Sequence, residues 1–352
     1  MEKTNYNDIY TNRCNQNKKI NKLIFKNDSI KQILKNDFIL LKYNAENDSV
    51  FHLSKKHHVS SYPTGLILNK DGYVLNRKYG FPGEDFQSLS KSVLDFTNES
   101  IALNKEKKTL KGYSNTVDVS KYPKFYIDYI NRTNTKINPS EINEYLKNEK
   151  DVFSEEYFST VLYFASEVSN AIADNTLKNQ ENYVRLYGKT DVETLFFFLT
   201  MGKFKKAISE KNQKKYDEAV VFATTSLSKK WTESILPSFE KDLLMAQGKW
   251  EEVFEINKNL KQNGTFDNGY INHFSWQVYK DCDDPKVIKN CLTWIKEVTD
   301  EEPTYTYLDT YAYLMYKSGD KEKTKNIALL AIEAAKKEGE KTKGMEALIK
   351  KL

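Results

Sequence analysis

The first 96 residues alternate between short apolar segments of strand length and longer segments in which apolar residues recur at helical spacing. In chain order the predicted elements are strand, helix, strand, helix, strand, strand and helix. Strands joined through helices tend to lie parallel in one sheet, so this order predicts an α/β fold. The predicted strands are 9–11, 38–43, 66–68 and 73–75, with a turn from Asn69 to Gly72.

A single cysteine, Cys14, stands where the first predicted strand gives way to a helix. A thiol at a helix N-terminus faces unpaired amides and the positive end of the helix dipole, and both favour the thiolate. Arg13, Lys18 and Lys19 add positive charge nearby. Because the thiolate is the species that attacks disulfides, Cys14 is the candidate nucleophile. The alternative is that Cys14 has no chemical role, in a fold that serves for binding.

Two segments resemble the thioredoxin family. Residues 10–19, Tyr-Thr-Asn-Arg-Cys-Asn-Gln-Asn-Lys-Lys, are similar to its strand, redox motif and helix start. Residues 59–72, Val-Ser-Ser-Tyr-Pro-Thr-Gly-Leu-Ile-Leu-Asn-Lys-Asp-Gly, are similar to its proline loop, next strand and hairpin turn. The resemblance implies a thioredoxin-like domain over residues 1–98, in which helices flank a central mixed sheet and the N-terminal strand and helix are absent.

The resemblance also implies the roles of the site residues. Pro63 would follow a cis peptide bond, and its loop would lie against Cys14. Tyr62 would offer backbone hydrogen bonds to an extended substrate segment, and Arg13 would add a substrate contact.

Asn17 stands where the family's motif closes with a second cysteine. A residue without sulfur cannot release a mixed disulfide held on Cys14. The remaining routes are a monothiol reaction, in which an outside thiol such as glutathione resolves the adduct, and isomerisation by the substrate's own second cysteine. No cofactor is expected beyond such a thiol.

The rest of the chain predicts helices. Residues 99–121 are polar and lysine-rich, which indicates a linker or a solvated helix, and 122–352 form a predicted α-helical domain. Four similar turn segments begin at Lys214, Gly248, Cys282 and Gly319, which are 34, 34 and 37 residues apart. A period of 34 is typical of tetratricopeptide repeats, and the pattern is clearest from about 200 to 338. A helical extension of this kind is similar to that of bacterial thioredoxin-like proteins.

Within the last copy, Ala312, Ala328 and Ala331 occupy the small-residue positions of the repeat. Such stacked helix pairs commonly bind peptides on their concave side. Of the aromatic residues, we expect Phe196 to Phe198 to lie in the core and the four tryptophans to pack between helices.

The composition argues against several classes of binding partner and site. The net charge of +5 comes from about fifty lysines and only four arginines, so specific nucleic-acid binding is not expected. Three cysteines, Cys14, Cys282 and Cys291, fit neither a disulfide framework nor a zinc site. The neighbouring histidines His57 and His58 are predicted to be exposed.

No apolar run is long enough for a membrane span, and the polar first ten residues do not resemble a signal peptide. As written, the sequence predicts a cytoplasmic protein, or a periplasmic or cell-envelope one if the start is truncated. The sequence does not predict an oligomeric state.

Two functional hypotheses follow. In the first, the chain exchanges thiols and disulfides with client proteins or peptides through Cys14. In the second, it is a non-catalytic scaffold that binds other proteins through the surface of the helical repeats.

Overall fold

The structure is a computed structural model that describes residues 3–47, 56–59, 61–116 and 118–352. Its four strands form one sheet in the order β2-β1-β3-β4. Strand β1 is parallel to β2 and antiparallel to β3, which is antiparallel to β4. A mixed sheet followed by helices is therefore confirmed. The strands are β1 (Thr4–Tyr10), β2 (Phe38–Asn44), β3 (Thr64–Leu68) and β4 (Val74–Tyr79).

Strand β1 differs from the predicted strand 9–11, because it begins at Thr4 and ends at Tyr10. Its first five residues are mostly polar, so they lack the apolar pattern on which the prediction depended. They are strand because their backbones pair on both sides, with Phe38 to Lys42 of β2 and with Gly65 to Leu68 of β3. Pairing on two sides outweighs the side-chain preference for other conformations.

In the described part of the first 105 residues, helices flank the sheet. Helix α1 (Asn15–Ile20) continues as a π-helical turn (Asn21–Phe25), and α2 (Asp28–Asp37) and α3 (Phe86–Lys105) follow. Asn27 caps α2, and Asp85 caps α3 in a capping box with Ser88. The second helix of the predicted order, over residues 49–58, lies mostly outside the described residues.

The sheet is buried on both faces, because successive side chains of a strand point to opposite sides. In β3, Ile67 packs with α1, α2 and α3, in a core that includes Ile24, Leu34 and Leu89. Its neighbours Leu66 and Leu68 pack in a second core with residues of the later helices. This explains why every residue of β3 is buried, as in the central strands of layered α/β proteins.

The helices after the sheet begin with a short 3₁₀ turn (Val119–Lys121). They are α4 (Lys124–Asn131), α5 (Pro139–Asn148), α6 (Glu155–Tyr163), α7 (Asn170–Lys178), α8 (Gln180–Tyr187), α9 (Lys189–Ser209), α10 (Gln213–Ser226), α11 (Lys229–Ala246), α12 (Trp250–Gln262), α13 (Asn268–Asp281), α14 (Pro285–Glu301), α15 (Tyr305–Lys317), α16 (Lys321–Glu338) and α17 (Lys343–Ile349). No helix in the described ranges is both long and apolar enough to cross a membrane.

Contacts between residues group the chain into two compact units. The first contains residues up to 207 together with 214–234, and the second contains 208–213 together with 235–352. The first unit extends past residue 98 because the later helices share a core with the sheet. That residues 1–98 form a domain of their own stays a prediction.

The segment predicted as a linker is packed where the structure describes it. Helix α3 runs to Lys105, and the backbone of Leu110 then donates to the Val74 carbonyl of β4 at 2.8 Å. Gly112 donates to the Leu186 carbonyl at 2.9 Å, and a Cβ on Gly112 would lie only 2.4 Å from the Tyr187 ring. Glycine is therefore required where this segment crosses α8.

The second unit repeats its helices at a regular spacing. Helices α12, α14 and α16 each begin within one of the predicted turn segments, and their first residues are 35 and 36 residues apart. The turn predicted at Lys214 is wrong, because that segment lies inside α10, which from residue 214 belongs to the first unit. Ion pairs join α12 and α14 at both ends, Glu251 with Lys286 at 3.0 Å and Lys261 with Glu297 at 2.9 Å. These two helices therefore run in the same direction side by side. Whether the helices are tetratricopeptide repeats stays a prediction.

Candidate functional site

Cys14 caps the N-terminus of α1, four residues after the end of β1. Its backbone N–H donates to the Thr11 carbonyl at 3.4 Å, and its own carbonyl accepts from Lys18 at 3.2 Å. The turn from strand to helix is thus fixed on both sides of the cysteine. Cys14 as a residue is half-buried, in contrast to the buried Cys282 and Cys291.

The loop that ends at Pro63 lies against Cys14. The Tyr62–Pro63 peptide bond is cis, the isomer that the resemblance implies. Cys14 Sγ donates to the Tyr62 carbonyl at 3.5 Å. The Pro63 carbonyl accepts from Gly80 N–H at 2.7 Å, and Thr64 Oγ1 donates to the Ser61 carbonyl at 2.7 Å. The structure therefore brings Cys14, Tyr62 and Pro63 together.

Asn17 lies one helical turn after Cys14 and is buried. Its Nδ2 donates to the Thr11 carbonyl at 2.9 Å, so the amide closes the turn in which Cys14 sits. Its Oδ1 is buried and accepts from none of the described residues. Asn17 therefore stabilises the loop and supplies no redox group.

The positive charge near Cys14 is largely paired. The Arg13 side chain is 95% exposed, and its Nε lies 3.8 Å from Glu46 Oε1. Glu46 also accepts from Asn12 Nδ2 at 3.0 Å. Lys19 forms an ion pair with Glu84. Arg13 is thus free to turn toward a ligand at little cost, since exposed pairs at this distance are weak.

Asp8 is a buried carboxyl in β1 that is not among the predicted site residues. It lies opposite Lys42 in β2 and Gly65 in β3. Burial raises the pKa of Asp8 to about 7, against the opposing charge of Lys42. Its Oδ1 has no hydrogen-bond partner among the described residues. An acidic residue inside a paired strand is the sequence signal that could have identified it.

A large groove opens beside Cys14, within the first compact unit. Its volume is about 1280 Å³, and Arg13 and Tyr62 line it on the side of the sheet. The opposite wall comes from α4, α6 and α9 and the loop after α4, and it includes Ile137, Phe198 and Arg132. We call this cavity the interlayer groove. Sequence patterns could not reveal this groove, because the residues of its two walls are far apart in the chain.

His58 forms a second polar centre on the same unit. The prediction that His57 and His58 are exposed is wrong, since they are 1% and 3% exposed. His58 Nδ1 lies 2.6 Å from Tyr126 Oη, and Nε2 lies 2.9 Å from Glu155 Oε1. The burial of His58 is possible because these partners, which are distant in sequence, satisfy both of its ring nitrogens.

Glu155 holds this cluster in place. Burial raises the pKa of Glu155, but the hydrogen bond and charge of His58 and the hydrogen bonds from Ser114 outweigh burial and lower it. Tyr122 Oη adds a third contact to His58 Nε2 at 3.0 Å. A cavity of about 780 Å³ adjoins the cluster. With both ring nitrogens engaged, His58 has a structural role, which is to join the segment before Pro63 to α4 and α6.

The other cysteines are buried, whereas the aromatic residues predicted to be buried are only partly so. Cys282 and Cys291 are buried, and burial raises the pKa of both thiols. Phe196 is buried as predicted, but Phe198 is 38% exposed and Trp231 is also exposed. Among the described residues, no cluster of three or more His, Cys, Asp or Glu side chains could hold a metal ion.

Comparison with known proteins gives no family for the chain. No protein-family model matches it, and no curated protein is significantly similar to it in sequence.

Proposed function

We propose that the chain is a thioredoxin-like protein of the thiol-disulfide exchange class that forms mixed disulfides with client proteins through Cys14. The observation that carries the proposal is the 3.5 Å contact between Cys14 Sγ and the Tyr62 carbonyl, in the loop that ends at Pro63. This loop joins the half-buried residue Cys14 to a strand end whose backbone can align an extended segment.

The reaction begins when the Cys14 thiolate attacks one sulfur of a client disulfide. A bond forms between Cys14 Sγ and that sulfur, the client's S–S bond breaks, and the second client sulfur leaves as a thiolate that takes a proton from water. The client is held on Cys14 through a mixed disulfide. No net oxidation occurs in this step, because one disulfide replaces another.

Release requires a second thiol from outside the motif. Asn17 is buried, contains no sulfur and is held by the Thr11 carbonyl. The client's own thiolate can attack the mixed disulfide, which isomerises the client and frees Cys14. Alternatively, the thiolate of a small thiol such as glutathione attacks the mixed disulfide. Attack on the client sulfur forms a disulfide between client and glutathione and expels the Cys14 thiolate. Attack on Cys14 Sγ forms a disulfide between Cys14 and glutathione and expels the client thiolate. The expected consequence is a long-lived adduct.

Adduct formation with oxidised glutathione tests the proposal. The folded full-length chain is incubated at pH 7 and analysed by intact and peptide mass spectrometry. We expect one glutathione adduct, at Cys14, and none in Cys14→Ser. Cys282 and Cys291 are internal controls, because buried thiols should react only after unfolding in urea. In Asn17→Cys we expect the adduct to be lost as an internal disulfide forms.

Two results would contradict the proposal. The first is an adduct on Cys14 that forms no faster in the folded chain than in the urea-unfolded chain, since the fold would then contribute nothing. The second is the absence of an adduct in the folded chain. Either would favour the non-catalytic scaffold, in which the loop is retained for packing alone.

A further inference from the structure

We propose that the interlayer groove binds the client segment next to its disulfide and selects a large apolar side chain with an acidic side chain beside it. The inference rests on the proposed function for the identity of the client as a disulfide-bearing polypeptide. The contacts that support it, however, are independent of the chemistry at Cys14.

The position of the groove connects it to the sulfur. Arg13, which precedes Cys14 in the chain, and Tyr62, whose carbonyl contacts Cys14 Sγ, both line the groove. Tyr163 of α6 lies on the opposite wall and donates from Oη to the Val59 carbonyl at 3.4 Å. Helix α6 is thereby attached to the segment before Pro63. A chain that leaves Cys14 on this side therefore enters the groove.

The helical wall of the groove is apolar and partly open to solvent. Ile137 and Phe198 are each 38% exposed, and Leu162 and Met201 extend the same surface. Neighbouring exposed apolar side chains in a concavity are typical of a binding surface. Their arrangement suits a large apolar side chain of a ligand.

Gly202 explains how Phe198 reaches this position. A Cβ on Gly202 would lie 2.7 Å from the backbone Cα of Ser166, so only glycine permits α9 to approach the end of the α6 segment so closely. Phe198 lies one turn before Gly202 and Met201 directly before it. The close approach therefore presents both side chains at the groove wall.

The charge of the groove favours an acidic ligand. Two of the chain's four arginines, Arg13 and Arg132, line it, and among the described lining residues Glu46 is the one acidic side chain. Arg132 ends α4 in the left-handed conformation, is exposed, and forms no ion pair within the described part of the chain. Arginine binds carboxylates through two parallel hydrogen bonds, which lysine cannot do. An acidic side chain, or a row of them, complements this pair.

The size of the groove favours a polypeptide over a small thiol. Small-molecule pockets measure roughly 300–1,000 Å³, whereas the groove measures about 1280 Å³. Glutathione has carboxylates for the arginines but no large apolar side chain to cover Phe198 and Ile137. We therefore assign the groove to an extended client segment.

A binding experiment without cysteine separates the groove from the thiol chemistry. The probe is the fluorescein-labelled heptapeptide Ser-Glu-Phe-Ser-Leu-Glu-Ser, with serine at the cysteine position, and its counterpart has lysine in place of both glutamates. Binding to the full-length chain and to Cys14→Ser is followed by fluorescence anisotropy. We expect both proteins to bind the acidic peptide equally and more tightly than the basic one.

Two variants with matched controls test the wall and the charge. Arg132→Gln should weaken binding of the acidic peptide by about tenfold, the size expected for one charge-assisted hydrogen bond, and should reduce its advantage over the basic peptide. Phe198→Ser should weaken the binding of the acidic peptide and that of the basic peptide by similar factors. Arg185→Gln and Phe86→Ser are the controls, since both residues are exposed and lie outside the lining. Circular dichroism establishes that each variant is folded.

The outcomes distinguish the two proposals. Peptide binding that depends on Arg132 and Phe198, without any adduct at Cys14, upholds the groove and overturns the thiol chemistry. An adduct at Cys14 with equal binding of acidic and basic peptides, or with no effect of either variant, overturns the groove and leaves the thiol chemistry standing. Displacement of the peptide by reduced glutathione at an equal concentration would overturn the assignment to a polypeptide.

Discussion

Asp8 shows how one buried group can make stability depend on pH. Its carboxyl has an ordinary pKa of 3.8, and burial raises this pKa to about 7 in the folded chain. The folded state therefore holds the proton more tightly than the unfolded state does. The stabilisation from this proton is complete below about pH 4, and it is lost as the pH rises through 7.

We expect Asp8→Asn to remove this dependence. Relative to the variant, the native chain should lose stability between pH 4 and pH 7, by at most roughly 4 kcal/mol, because each unit of pKa shift corresponds to about 1.4 kcal/mol. Urea unfolding at several pH values, followed by circular dichroism, measures the difference. Asp37→Asn is the control, since Asp37 is exposed at the end of α2. A constant difference between native chain and variant from pH 4 to 7 would contradict the assignment.

The places of Cys14 and Pro63 in the fold follow from local sequence patterns, whereas their roles stay predictions. Cys14 follows a strand and begins a helix, and Pro63 precedes a strand and a turn, so neighbours in sequence were enough to place both. His57 and His58 were misplaced because their environment is not local. The partners of His58 are Tyr126 and Glu155, 68 and 97 residues further along the chain, and no pattern around His58 encodes them.

At the scale of elements, a buried ion pair joins β4 to α9. Arg77 Nη1 donates to Asp191 Oδ2 at 2.9 Å, and both side chains are almost completely buried. Tyr113 donates to the same carboxylate oxygen. Burial lowers the pKa of Arg77, but the charge of Asp191 outweighs it and raises the pKa, so the guanidinium stays charged. The pair is 114 residues apart in sequence, which is why sequence patterns did not reveal it.

Removing one partner should leave an uncompensated buried charge. We expect Arg77→Met and Asp191→Leu each to reduce the free energy of unfolding by about 3–5 kcal/mol. The double variant should lose less than the sum of the two, since it buries no lone charge. The measurement is a double-mutant cycle of urea midpoints, with Lys91→Met as the exposed control. Additive losses in the double variant would show that the two side chains do not depend on each other.

At the scale of the whole molecule, the two compact units are stabilised in different ways. The first is a layered structure, in which the sheet is covered by α1 to α3 on one face and by later helices on the other. The order of strands and helices in this layered part could be predicted, because the spacing of apolar residues differs between strands and helices. The helices that cover the second face could be predicted as helices, but their docking on the sheet could not, since every apolar stripe is compatible with several partners.

The second unit is built from helices that recur about every 36 residues, and its stability depends on close packing between neighbours. Ala312 of α15 and Ala328 and Ala331 of α16 have no exposed surface, and they share one core with Leu308 and Met345. At such positions the lack of side-chain atoms beyond Cβ sets the distance between helices. Enlarging one of them must displace the adjacent helix or force a strained rotamer.

We expect Ala331→Leu to reduce the free energy of unfolding by roughly 1–3 kcal/mol, the usual cost of overpacking a core. Ala347→Leu is the matched control, because Ala347 is exposed on α17 and the same substitution there changes helix propensity by a similar small amount. The thermal midpoint of each variant, followed by circular dichroism, gives the comparison. If both variants have the same thermal midpoint as the native chain, the contact between α15 and α16 does not depend on small residues. The repeat packing predicted from the alanine pattern would then be contradicted. If Ala331→Leu alone melts earlier, small residues set the approach of these two helices, as expected when neighbouring helices stabilise one another.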